Sequence, residues 1–89
     1  MGNFIGGSAY GMAQQVAEGY LLITERSFTR LLPPELDQLG FEIDKLLREV
    51  RGAQPPLEDI PAIQQRNRKI QRLNSCRTML QSYRQRLRR

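Results

Sequence analysis

Between Arg66 and Arg89 the sequence holds nine cations (Arg66, Arg68, Lys69, Arg72, Arg77, Arg84, Arg86, Arg88 and Arg89) and no Asp or Glu. Guanidinium groups present planar donor forks that match phosphate and carboxylate oxygens, so such a run can hold an anion without any catalytic chemistry. Met1 to Gln65 carries all nine carboxylates against five cations, and the formal charge of +5 is therefore the sum of a −4 front and a +9 tail. That asymmetry points to a polyanion or an acidic partner. Arg68 and Arg72, like Arg84 and Arg88, are four residues apart, and on a bare helix each pair repels by about 0.2–0.5 kcal/mol.

Three uses of the tail follow. In the first, its arginines complement the negative end of a helix dipole and face Glu35, Asp37, Glu42, Asp44 and Glu49 of the preceding segment. That segment also contains Lys45, Arg48 and Arg51, which leaves it at −2 and short of neutralising the tail. In the second, the tail binds an RNA or DNA backbone, where each neutralised phosphate releases counterions. Asn67, Gln71, Asn74, Gln81 and Gln85 add neutral donors, but Tyr83 is the only ring in the basic segment, too little for base stacking. In the third, it meets an acidic protein surface, while a partner helix or a second copy covers an apolar face.

Other reactive side chains are sparse. Without histidine there is no imidazole base, no His-containing zinc set and no activator for Ser75 or Ser82. Glu42 and Glu49 lie seven apart, on one face if helical, and could bind a metal only if another helix supplied further carboxylates; a solvated, salt-bridged face is the alternative. Cys76 stands among cations that could activate a thiolate, yet it also falls on an apolar stripe, where a cysteine is a small buried hydrophobe. The expectation is a protein that is not an enzyme and has no cofactor or metal.

One cysteine cannot close an internal disulfide and suits a reducing, cytoplasmic setting. No run of about 18 apolar residues supports a membrane span. The basic segment lacks the Trp-, Phe- and Leu-rich face of a membrane-surface helix. Residues 1–6 lack a secretory pattern, and Gly6 stands where a myristoylation motif has Ser or Thr.

These groups must be positioned by helices. Eighty-nine residues make one folding unit, and a domain this small buries only about 60% of its unfolded surface. Four glycines by Gly11 suggest a flexible arm over 1–8, followed by a single helical domain over 9–89. Ser8 can cap a first helix over 9–32, where Met12, Val16, Tyr20, Ile23, Ser27 and Leu31 recur at spacings of three and four. Pro33 and Pro34 end it. A second helix over 34–51 carries Leu36, Leu39, Ile43, Leu46 or Leu47, and Val50 on one stripe and stops at Gly52.

Three prolines mark 53–61 as a connection, longer and stiffer than the turn of a helix-turn-helix. Asp59 is placed to cap a third helix over 60–88, whose stripe is Ile63, Ile70, Leu73, Cys76, Leu80, Tyr83 and Leu87. The heptad spacing of Leu73, Leu80 and Leu87 has coiled-coil character. The fold class that results is all-α, an antiparallel three-helix bundle running up-down-up, with a long basic C-terminal helix that a second copy could complete. The unequal helix lengths predict that about 15 Å of the third helix overhangs at its C-terminal end, carrying Arg84 to Arg89.

The function these features suggest is a small helical interaction or adaptor protein that self-associates or docks on a larger partner. Its apolar contact face would comprise Tyr20, Leu22, Phe28, Leu73, Leu80, Tyr83 and Leu87, with core packing as the competing use of those side chains. The alternative function is backbone-directed RNA or DNA binding by the basic helix.

Overall fold

The computed structural model describes residues 7–87. Most of the expected arm, with Arg88 and Arg89, lies outside the described residues. Three helices, α1 (Ala9–Glu18), α2 (Pro33–Gly52) and α3 (Ile60–Leu87), pack against one another as a three-helix bundle, with no strand among the described residues.

α2 and α3 start and stop where the sequence says they should. At the start of α2, Pro33 and Pro34 supply fixed φ in a turn whose N–H groups have no helical partner, and Glu35 Oε1 accepts from Leu32 N–H at 2.9 Å. Asp59 Oδ1 accepts from Ala62 N–H at 3.2 Å and caps α3, which then runs unbroken to Leu87. The two helices are antiparallel: Asp37 pairs with Arg84, Asp44 with Arg77, and Arg66 reaches Val50 and Arg51.

α1 departs from expectation. Its start is as predicted, with Ser8 Oγ accepting from Gly11 N–H at 2.9 Å, but it ends at Glu18 instead of continuing to residue 32. Gly19 takes the left-handed conformation (φ +82), and its N–H and that of Tyr20 return to the carbonyls of Val16 and Gln15 at 3.1 and 2.9 Å. This is the glycine-terminated helix end that an L side chain resists.

Beyond Gly19 the chain bends at Tyr20, runs without helix or strand to Thr24, whose backbone is extended, makes a 3₁₀ turn at Glu25–Ser27 and enters α2. The helical stripe read through this region breaks down. Leu21 and Ile23 turn inward, whereas Tyr20 and Leu22 are 82% and 87% exposed, the two-residue alternation of an extended chain.

This change relocates the overhang. Each extended residue advances about 3.3 Å against 1.5 Å in a helix, so the connection, hereafter the strap, climbs α3 from the level of Arg72 to that of Arg86. The C-terminal end of α3 is consequently flanked by the chain's own residues. It is the opposite end, around Leu57 and Ile60, that stands clear, at 87% and 55% exposure.

The core is one cluster: Met12, Ala13, Val16 and Ala17 of α1, Phe28 and Leu31 of the strap, the α2 stripe, and Leu73, Cys76 and Leu80 of α3. Phe28 is fully enclosed and packs on Tyr83 with ring centroids 5.6 Å apart.

Gly19 is the corner on which this arrangement turns. A β-carbon there would stand 2.8 Å from Arg72 Cζ, on top of the left-handed strain. Gly19→Ala is therefore expected to lower stability by about 1–2 kcal/mol, read as a reduced denaturant midpoint at unchanged slope.

Candidate functional site

The basic face of α3 is the first candidate. Lys69 bonds Glu18 at 3.1 Å, Arg77 bonds Asp44 at 2.8 Å, Arg84 pairs with Asp37 and Arg86 with Glu25. Two further arginines serve as caps. Arg66 donates from Nε to the Val50 carbonyl at 3.1 Å and from Nη2 to the Arg51 carbonyl at 2.9 Å, closing the end of α2. Arg72 Nη1 donates to the Ala17 carbonyl at 3.1 Å, closing the end of α1. The last carbonyls of a helix lack internal partners and carry partial negative charge, so a guanidinium is well suited to both.

Among the described cations of the basic segment, Arg68 alone has no side-chain ion pair or hydrogen bond. Glu18 of α1, Glu25 of the strap and two helix ends engage cations beyond those that α2 pairs with, yet four paired carboxylates against nine cations leave the tail with a net positive charge, as the charge count expects.

The four ion pairs are solvent-exposed, with side chains 34–62% accessible, and such pairs contribute about 0–1 kcal/mol each. Their importance is geometric. The hydrogen bond to Glu25 holds the Arg86 guanidinium pKa above its ordinary value. Together these contacts hold α1, the strap and α2 against a single helix.

Cys76 is 1% exposed in the core, and burial pushes its thiol up to about 12. A thiol in this state is neither a nucleophile nor a metal ligand. A disulfide reagent is expected to modify Cys76 in the native protein only as fast as the bundle opens, and at the full rate in denaturant. Because the folded pKa lies above the ordinary value of 9.0, the unfolded state loses its proton first. This contribution to stability is intact below pH 9.0 and falls as pH rises from there toward about 12. Melting temperature against pH checks the sign.

Glu42 and Glu49 gather no metal site, and no group of three or more His, Cys, Asp or Glu suited to a metal occurs among the described residues. Glu42 Oε2 is buried and lacks a hydrogen bond. No helix of the described residues is long and apolar enough to cross a membrane.

The apolar surface is the second candidate, and it differs from the expected face. Phe28, Leu73 and Leu80 are 0–1% exposed within the chain's own core, and half-buried Tyr83 packs on Phe28, so none of these four presents an open contact surface. Tyr20, Leu22 and Leu87 do point outward, at 82%, 87% and 53%. Two grooves accompany the exposed side chains. One, of about 450 Å³, lies between α2 and α3 at the end bearing the prolines, lined by Val50, Ala53, Pro55 and Ala62. The other, of about 350 Å³, lies between strap and α3, lined by Leu21, Leu22, Ile23, Ser75 and Met79 above Cys76.

Sequence reasoning missed Val50, Ala53, Pro55 and Ala62 as a surface because it treated 53–61 only as a connection. The cluster of Pro55, Pro56 and Leu57 beside Ile60 was the available signal. The chain matches no protein-family model, and no curated protein or solved structure matches it.

Proposed function

We propose that this chain is a protein-interaction module that self-associates or docks on a larger partner through its exposed apolar side chains, in a cytoplasmic setting that suits its free thiol. The observation that carries this reading is the division of labour on α3. Six cations are taken up by Glu18, Glu25, Asp37, Asp44 and the ends of α1 and α2, while Tyr20, Leu22, Leu57 and Ile60 have no cover. A phosphate backbone would have to compete with bonds already made, and displacing them would undo the caps of two helices. A protein partner has only to cover surface that water now covers.

Titrating fluorescent duplex and single-stranded oligonucleotides with the protein at low and high salt tests this reading against RNA or DNA binding. No binding at low salt is expected. Tight binding that weakens steeply with salt, and whose slope flattens in Arg84→Gln and Arg86→Gln, would establish the nucleic-acid function instead.

A further inference from the structure

Cys76 is 1% exposed, yet it lines the groove of about 350 Å³ between α3 and the strap. Leu21, Leu22 and Ile23 line the same groove from the strap, and Val16 lines it from α1. The cover that the strap contributes is loosely held. Leu22 is 87% exposed, and Leu21 and Ile23 are only partly buried. Among the described residues, no hydrogen bond joins residues 20–24 to α3. The N–H groups of Tyr20 and Leu21 return to the Gln15 carbonyl, and Thr24 spends its N–H and its carbonyl on Ser27.

Both ends of this segment are fixed. On one side Arg72 Nη1 donates to the Ala17 carbonyl where α1 stops, and Gly19 makes the corner. On the other, Glu25 pairs with Arg86 and the enclosed Phe28 ring packs on Tyr83. A segment with few buried apolar contacts and no bonds to the element beneath it lies at the low-stability end of a fold, where it opens without the rest.

We infer that Tyr20–Thr24 is a lid over Cys76, which lifts between its two fixed ends while the three helices stay packed and so gates access to the core thiol. Lifting Leu21 and Ile23 bares far less apolar surface than dispersing the core to which Cys76 belongs, so the lid opens more often than the chain unfolds. The part of the bundle that opens to admit a reagent is then the lid. This inference rests on the packing of the chain alone and stands apart from the interaction reading above.

Modification of the full chain by dithiodipyridine, an uncharged disulfide, tests it over a denaturant series at fixed pH. The Cys76 sulfur attacks one sulfur of the reagent, forms a mixed disulfide and releases one thiopyridone, whose absorbance gives the rate. Access through global unfolding falls steeply as denaturant is withdrawn, because its slope scales with the surface exposed, whereas access through the lid is nearly flat. The rate without denaturant is expected to lie at least about tenfold above the line extrapolated from global unfolding. Ile23→Ala is expected to raise that native rate several-fold. Leu36→Ala, whose site lies in a different groove beside Arg84 and Leu87, is expected to lower the denaturant midpoint and leave the native rate unchanged. A wild-type rate that follows the global line down to zero denaturant would overturn the lid, and this series decides the matter even if Leu36→Ala does not fold. A native rate that rises in Leu36→Ala in step with its lost stability would overturn it too, and an unchanged rate in Ile23→Ala would place the opening outside the strap.

Discussion

Leu80→Asp is expected to leave the chain largely unfolded at 25 °C, with loss of the cooperative thermal transition in circular dichroism. Leu80 is 1% exposed, and the space a β-carbon on Gly40 would occupy is 3.5 Å from Leu80 Cδ2. The substitution removes a buried leucine, a loss of about 2–5 kcal/mol, and asks an ionised carboxylate to sit without a partner, several kcal/mol more unless it is protonated. A domain of 89 residues has about 4–13 kcal/mol in total. Leu80→Ala separates the two effects, because it opens a cavity without burying charge and is expected to retain a transition at lower temperature. A normal melt for Leu80→Asp would mean that position 80 opens to water and lies outside the core.

Phe28→Ala has the second largest expected effect. The ring is wholly enclosed and is the main anchor of the strap, packed on Tyr83 at 5.6 Å. Truncating a buried phenylalanine costs about 3–5 kcal/mol, which for a domain of this size lowers the melting temperature by at least about 12 °C. Tyr20→Ala, in the same strap but 82% exposed, is expected to stay within about 0.5 kcal/mol of the wild type. The contrast tests the in-and-out alternation of the strap directly, since a continuous helix would not bury Phe28 and expose Tyr20 in this manner.

What the sequence discloses follows the strength of its local signals. α2 and α3 are bounded by Pro33, Pro34, Asp59 and Pro61, and α2 carries a clear apolar stripe while α3 runs free of interior glycine and proline, so their limits lie within a residue or two of expectation. The first helix was overextended because Met12, Val16, Tyr20, Ile23 and Leu31 satisfy helical spacing across Gly19. Spacing alone does not register that glycine gains little from helix and much from a left-handed stop. Ile23 and Thr24, both β-branched and beside alternating residues, were the local hint of extended chain.

The basic tail was legible as charge but not as an arrangement. Its partners, Glu18, Glu25 and the carbonyls of Ala17 and Val50, come from other elements, and a net-charge count gives no place to helix ends. Tyr20, Leu22 and Leu87 of the expected apolar face do reach the surface. Phe28, Leu73 and Leu80 do not, because the short α1 and the strap leave these larger side chains to fill the centre.

The contacts that fasten α1 and the strap join distant parts of the chain: Arg72 to Ala17 spans 55 positions and Arg86 to Glu25 spans 61, whereas Arg66 closes α2 onto α3 across 15 and 16. Closing the longer loops costs about 1.2 kcal/mol more in chain entropy, two doublings of length. Loop length therefore favours closing the α2–α3 hairpin before the contacts that fasten the amino-terminal third. Until α3 is in place, Met12, Val16 and Phe28 lack the Leu73, Cys76 and Leu80 side chains that complete their core.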